Sequence, residues 1–131
     1  MAIVSPTGET LSISAVPGLV AGETLTAGQA VCVKASDGKV YKADADDADL
    51  RPCIGLAAHG ASSGDAIDIA TTGWVDGATS LTPGDYIYLS ATAGGVTHTK
   101  TAAFAQVLGV ALTETLWRLQ VEFGYVAGHY A

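Results

Sequence analysis

Residues that could act as a catalytic nucleophile occur at 60–64, where GASSG satisfies the G-x-S-x-G pattern and places Ser62 at the nucleophile position. That pattern activates a serine only at a turn between a strand and a helix of a parallel sheet. Here the alternating AIDIA at 66–70 predicts a strand after the turn instead. No acid and histidine stand in a recognisable triad context, so we interpret GASSG as a hairpin turn and expect neither a catalytic residue nor enzyme activity.

Metal-binding residue types also occur in the sequence. An acidic run resembles the start of a calcium loop, and its carboxylates are Asp44, Asp46, Asp47 and Asp49. An EF-hand loop needs Gly at its sixth position and Glu at its twelfth, where Asp49 and Gly55 stand. The histidines are far apart and lack the HExxH spacing; they are His59, His98 and His129. Since glycine-rich phosphate loops are also missing from the sequence, we expect no metal and no cofactor, and interpret the acidic run as a solvated loop.

The composition excludes several classes of protein and favours an oligomer. Only 15% of the 131 residues are charged, against about 25% in typical soluble domains, and 49% are hydrophobic. A soluble chain poor in charge usually hides surface against other subunits. The net charge of −7 and the scattered basic residues argue against a nucleic-acid partner.

The sequence also bears on where the protein is made. It has no apolar run of the roughly 18 residues that a membrane span needs, and MAIVSPTGET lacks the basic start of a signal peptide. We therefore expect synthesis in the cytoplasm and no membrane partner. Cys32 and Cys53 lie in apolar runs, which predicts buried, reduced thiols.

An internal duplication organises the chain. The pattern Gly, large apolar residue, Val, any residue, Gly occurs three times, as GLVAG at 18–22, GWVDG at 73–77 and GYVAG at 124–128. LTAGQAVCVKASDGKVYKA from Leu25 aligns with LTPGDYIYLSATAGGVTHT from Leu81, and CIGLA at 53–57 aligns with VLGVA at 107–111. We predict an N-terminal arm over 1–17 and one β domain over 18–131, built from two repeats, 18–72 and 73–131.

The residue pattern within each repeat predicts strands and hairpins. Val31 and Val33 alternate with smaller or polar residues and align with Ile87 and Leu89, so all four are expected to point inward. The same inward role is predicted for Ile67, Ile69, Trp117, Leu119 and Val121. Asp37-Gly38 predicts a type I′ hairpin turn, and Gly94-Gly95 its counterpart. The residues expected to form structural turns are Gly22, Asp37, Gly38, Gly77, Gly94 and Gly128.

The predicted fold class is therefore all-β: two repeated hairpin-rich units of about 50 to 55 residues, packed as a small barrel or sandwich, with an extended N-terminal arm. Helical periodicity is weak, and DADDADL at 44–50 and TAAFAQ at 101–106 would each form one turn at most. In the arm, Leu11 and Ile13 alternate with polar residues, which indicates a short strand that could pair with another chain.

Surface aromatic residues indicate an interface. Tyr86 and Tyr88 alternate with Ile87 and Leu89, so they lie on the face opposite the core, and such a face is usually covered. Trp74 and Tyr125 are interpreted as packing between the two units. The candidate interface residues are Ile3, Val4, Leu11, Ile13, Tyr86, Tyr88, Tyr125 and Tyr130.

The order of these segments resembles a known family. LTAGQAVCVKASDGKVYKADADDADLRPCIGLA, then a Gly/Ser turn, the GDAIDIATTG strand and a second LTPGDYIYL are similar to the phage capsid cement or decoration proteins. The resemblance covers about residues 18–121. It implies a β protein that forms a homotrimer on the outer surface of a tailed-phage head and ties neighbouring major capsid protein subunits together. The alternative is a head-fibre or tail-associated knob that binds cell-surface glycan through Trp74 and the tyrosines.

Overall fold

The computed structural model describes residues 2–4, 19–100 and 104–121. In these ranges the regular structure is ten β-strands and one 3₁₀ turn, Ala48–Leu50, which confirms the all-β prediction. The strands are β1 Ala2–Val4, β2 Ala30–Val33, β3 Val40–Lys42, β4 Gly55–Ala57, β5 Ile69–Ala70, β6 Thr72–Asp76, β7 Tyr86–Leu89, β8 Val96–Thr97, β9 Val107–Ala111 and β10 Leu116–Gln120. Within the same ranges, no helix has the length and apolar character needed to cross a bilayer.

The strands form two antiparallel sheets that pack as a sandwich rather than a closed barrel. The first sheet has the order β3-β2-β4-β5, and the second has the order β1-β6-β10-β9-β7-β8. β1, from the N-terminal arm, pairs with β6 of its own chain, with Ile3 opposite Val75 and Val4 opposite Trp74. The backbone of these first residues therefore extends the second sheet by one strand.

The two repeats share a strand order and individual hydrogen bonds. Strands β3-β2-β4-β5 of the first repeat correspond to β8-β7-β9-β10 of the second. The Gly28 N–H donates to the Ala57 carbonyl at 2.8 Å, and the Gly84 N–H donates to the Ala111 carbonyl at 2.8 Å. The φ angles of these two glycines are 89° and 90°, a backbone conformation that side chains disfavour. The L-T-x-G sequence therefore marks the same turn in both units.

A second pair of equivalent glycines allows neighbouring strands to approach closely. A Cβ atom on Gly55 would lie 2.3 Å from the Ala70 carbonyl oxygen, and one on Gly109 would lie 1.8 Å from the Arg118 carbonyl oxygen. Both distances are far below van der Waals contact, so any side chain at either position would force the next strand away.

The first sheet is buried on both of its faces. Cα pairing places Ala30, Cys32, Leu56 and Ala70 on one face, and these residues belong to a cluster that we call the shared core. The shared core also contains the inward residues of the second sheet, including Val75, Ile87, Leu89, Trp117 and Leu119. The opposite face of the first sheet carries a small core, which consists of Ala21, Leu25, Val31, Val40, Ala57, Ile67 and Ile69.

Most of the predicted inward residues are buried, with one correction. Ile87, Leu89, Trp117 and Leu119 are fully buried, whereas Val33 is 39% exposed. Val33 is the last residue of β2 and pairs with Val40 beside the hairpin turn. Alternation could not show that Val33 is partly exposed at this end of the strand while Val31 and Val40 are fully buried.

The type I′ assignment of the first hairpin was wrong. Gly38 has a φ of 70°, but a type I′ turn also needs a positive φ at Asp37, and that residue does not have one. The Lys34 N–H donates to the Lys39 carbonyl at 2.9 Å, so the loop is longer than two residues. Ser90 and Gly95 make the equivalent bond at 3.2 Å, with Gly94 at a φ of 78°. Asp37 caps the loop by accepting from the Lys39 N–H at 3.0 Å.

One buried amide connects the two units. Gln106 is fully buried, and it is the one polar or charged residue among the buried side chains of the described ranges. The Cys53 N–H donates to its Oε1 at 2.7 Å, and its Nε2 donates to the Cys53 carbonyl at 2.8 Å. The side chain thus replaces a neighbouring strand for one residue of the first unit, and no polar group of this pair is left without a partner.

Both cysteines are free and buried, as expected. Burial raises the pKa of the Cys32 thiol to about 11 and that of the Cys53 thiol to about 12. The Cys53 Sγ lies 3.1 Å from the Gly55 carbonyl, which accepts its proton. The thiols therefore act as small apolar side chains at the junction of the sheets.

We predict that Gln106→Leu lowers the free energy of unfolding by about 2 to 4 kcal/mol, because the Cys53 N–H and carbonyl would be buried without partners. Urea unfolding followed by Trp fluorescence measures the change. The matched control is Gln29→Leu, whose half-buried amide accepts from the N–H of the exposed Thr26. It should cost less than about 1 kcal/mol. Equal losses in both variants would contradict the assigned role of Gln106.

The thiols predict a loss of stability at alkaline pH. In the unfolded chain they ionise near 9.0, whereas in the folded chain they ionise only near 11 and 12. The stabilisation is complete below the unfolded pKa and is lost as pH rises toward the folded values. Urea unfolding at increasing pH should show this decline, and Cys32→Ala with Cys53→Ala should show a shallower one. An unchanged slope in the double variant would contradict the assignment.

Candidate interaction surface

The outward face of the second sheet carries a row of large side chains across four adjacent strands. Trp74 on β6 is opposite Arg118 on β10, Arg118 is opposite Val110 on β9, and Val110 is opposite Tyr86 on β7. Directly opposed residues of neighbouring strands lie on the same face of a sheet. Together with Tyr88, two residues after Tyr86, these side chains form what we call the aromatic face.

The aromatic face is accessible. Tyr86 is 53% exposed and is one of the few exposed large hydrophobic side chains in the described part of the chain. Its ring meets the ring of Tyr88 edge to face, with centroids 6.4 Å apart and an interplanar angle of 68°. Arg118 is exposed, while Trp74 and Val110 are half-buried. This combination of Trp, Tyr and Arg is the one enriched at the energetic centres of protein interfaces.

The duplication shows that the same face is covered in the first unit. Tyr86 and Tyr88 correspond to Ala30 and Cys32, which are fully buried in the shared core. Val110 corresponds to Leu56, which is also fully buried there. Small side chains therefore stand where the second sheet packs against the first, and aromatic side chains stand at the equivalent positions that no described residue covers.

The predicted interface residues are only partly brought together. Tyr86 and Tyr88 lie side by side, and β1, which contains Ile3 and Val4, is at the opposite edge of the same sheet. Trp74, predicted to pack between the units, lies in the row of the aromatic face instead. The remaining candidates lie outside the described residues; they are Leu11, Ile13, Tyr125 and Tyr130.

The predicted turn glycines have different roles. Gly38 and Gly94 have positive φ angles within the two hairpin loops, as expected, whereas Gly77 has a φ of 92° directly after the end of β6. Gly22 is required for space instead, because a Cβ atom there would lie 2.3 Å from the Tyr41 ring. Gly128 lies outside the described residues.

The residues of the GASSG segment close a turn. The Asp65 N–H donates to the Ser62 carbonyl at 3.0 Å, and the Asp65 carboxylate accepts from the Ser62 N–H at 3.1 Å. The His59 imidazole lies 3.3 Å from the Asp68 carboxylate. In the acidic loop, Asp44 and Asp47 each accept a backbone N–H two residues on, at 2.9 Å, and so hold local turns.

Two members of the aromatic face were missed by the sequence analysis. Val110 and Arg118 lie on strands whose outward faces were not assigned, although the alignment of VLGVA with CIGLA already paired Val110 with Leu56. Their place in the row depends on the register of β10 against β6 and β9, which the residue pattern alone does not determine.

No protein-family model matches the chain, and no curated protein sequence matches it.

We predict that Tyr86→Ser changes the free energy of unfolding by less than about 1 kcal/mol, because this side chain is 53% exposed. Ile87, the next residue along the chain, points to the opposite face and provides the comparison. Ile87→Ala should lower the free energy of unfolding by about 2 to 5 kcal/mol, because it leaves a cavity in the shared core. Urea unfolding measures both values, and a large loss in Tyr86→Ser would show that the chain itself covers the aromatic face.

Proposed function

We propose that this protein is a structural virion protein, a capsid cement that acts as a homotrimer on the outer surface of a tailed-phage head. Its partners are copies of itself and the major capsid protein, whose subunits it ties together. The similarity of residues 18–121 in segment order and spacing supports this assignment. The role requires adhesion and no catalysis, metal or cofactor.

The observation that carries the proposal is the aromatic face, which no sheet of the described residues covers. Its counterpart in the first unit is buried by a second sheet, which indicates that this side of the β module is suited to being covered. Trp74, Tyr86 and Tyr88 offer apolar area with few rotamers to immobilise, and Arg118 can form paired hydrogen bonds with a carboxylate of the partner. A protein surface fits this combination.

The net charge supports a location outside the shell. At −7, the protein is repelled by packaged DNA, whose phosphates carry dense negative charge. The outer surface of a capsid keeps the two apart. Cement binding would then depend on apolar burial and hydrogen bonding rather than on attraction to nucleic acid.

Adhesion at several points explains how weak contacts stabilise a shell. A cement adds contact area across the joints between capsid subunits, so that separating them under internal pressure also requires breaking the cement contacts. Three linked subunits that bind together can gain about 10²- to 10⁴-fold in avidity where the lattice spacing permits it.

The second candidate is a glycan-binding knob of a head fibre or tail. The row of Trp74, Arg118 and Tyr86 favours it, because aromatic rings can stack on sugar faces and a guanidinium can donate to hydroxyls. A glycan array separates the two functions: reproducible hits that Trp74→Ala removes would support the knob, and an array without hits would count against it.

We predict that purified protein scatters light as a trimer and binds expanded heads that lack it. Tyr86→Arg should reduce head binding at least about tenfold, because it places a charge in the contact. The matched control is Val33→Arg, at an exposed apolar residue of the other sheet. Cosedimentation and imaging of the heads measure binding. A monomer that does not bind, or equal binding by both variants, would contradict the proposal.

A further inference from the structure

In the first unit, an extended segment pairs with the edge of β3. Ala21 forms a parallel bridge with Val40. The Gly22 N–H donates to the Val40 carbonyl at 2.8 Å, and the Val40 N–H donates to the Val20 carbonyl at 2.9 Å. Ala21 is fully buried in the small core, so this segment both completes the edge of the strand and closes the interior of the unit.

The equivalent edge of the second unit is open. β8 corresponds to β3, Val96 corresponds to Val40, and β8 is the last strand in its sheet order. Among the described residues, no backbone group bridges Val96 from its outer side. A cavity of about 340 Å³ lies beside it, lined by Gly77, Ala78, Thr79, Leu81, Ile87, Val96, Thr97, His98 and Trp117.

The two units differ because GWVDG at 73–77, the second copy of the repeated pattern, does not reach β8. Its residues form β6, which pairs with β10 over five positions. After Gly77, whose φ is 92°, the Ala78 N–H donates to the Thr115 carbonyl at 3.1 Å. In the first copy, GLVAG, Val20 bridges Ala66 and Ala21 bridges Val40. The second unit therefore has a strand edge and an apolar cavity where the first unit has a bound segment.

We propose that the outer edge of β8 binds an extended segment of a partner protein, parallel to β8, with an apolar side chain of the segment in the cavity. Residues 20–22 occupy the equivalent edge in the first unit, so they indicate the chemistry of the bound segment. They are Val and Ala followed by Gly, and the glycine lets the two backbones approach closely. A dry engineered cavity of about 150 Å³ already holds benzene, so this one has room for a branched or aromatic side chain. The inference rests on the repeat and not on the proposed function.

The chemistry of the cavity favours an uncharged segment. Its floor is apolar, with Leu81, Ile87 and Trp117, and its polar lining residues are Thr79, Thr97 and His98. No carboxylate and no Lys or Arg is among the lining residues of the described chain. Recognition would therefore come from backbone hydrogen bonds and apolar burial.

The probe is an acetylated peptide with the sequence of residues 18–24, GLVAGET, added to the full ¹⁵N-labelled chain. Saturable shifts of the Val96, Thr97 and Trp117 resonances are expected. The same peptide methylated on the nitrogen corresponding to Gly22 loses one hydrogen bond, and should bind up to about tenfold more weakly. Absence of saturable shifts, or equal binding of both peptides, would overturn the proposal.

Two variants test the location. Ala78→Leu adds a larger apolar side chain to the lining of the cavity and should abolish the shifts at Val96 and Trp117. Thr72→Leu adds the same side chain on exposed β6 surface and should leave peptide binding unchanged. If Ala78→Leu does not fold, Thr79→Leu fills the cavity from the neighbouring position. Undiminished binding by a folded cavity variant would overturn the location.

A second peptide distinguishes the source of the segment. Residues 123–129, FGYVAGH, contain GYVAG, the third copy of the repeated pattern. If this peptide binds the β8 edge and also disrupts self-association of the protein, the occupant is a second copy, and the assignment to a partner protein is overturned. If it leaves self-association unchanged, the assignment stands.

Discussion

The architecture depends on the burial of the first sheet from both sides, and the hydrogen bonds of Gln106 make that burial possible. A backbone N–H and carbonyl that face an apolar interior need partners, and Cys53 is in no strand pair of the described residues. The Gln106 amide provides both a donor and an acceptor from the second unit. Because a misplaced amide would leave four buried polar groups unpaired, this interaction fixes how the two units meet as well as stabilising them.

The two units pack head to tail. The face of the first sheet that carries Ala30 and Cys32 packs against the face of the second sheet that carries Ile87 and Trp117. These faces are not equivalent in the repeat, because Ala30 corresponds to Tyr86. A pseudo-twofold arrangement would bury equivalent faces against each other. A head-to-tail arrangement buries non-equivalent faces, so the face of the second unit that corresponds to the buried face of the first meets no sheet of the described residues. The aromatic side chains are found on that face, which connects the duplication directly to the candidate interaction surface.

Sequence patterns predicted the strands well because local chemistry determines them. Alternation placed Ile87 and Leu89 inside, and Gly38 and Gly94 have the positive φ angles expected of hairpin loops. Long-range features were not predictable in this way. The partner of Gln106 is 53 residues away, and a lone buried glutamine resembles any polar residue in a strand. The open edge of β8 depends on where β6 ends, and the exposure of Val33 depends on how far its cover extends. Both are properties of packing between segments.

The paired close approaches at Gly55 and Gly109 bear on how distant relatives could be recognised. Each glycine is followed by an apolar residue and then by alanine, GLA in one repeat and GVA in the other. Most surface positions can diverge freely, whereas these two would collide with a carbonyl if they acquired any side chain. Homologous chains whose overall identity has been lost should therefore retain this doubled tripeptide at a fixed separation. A search that scores the two tripeptides together would detect ancestry that whole-sequence comparison misses.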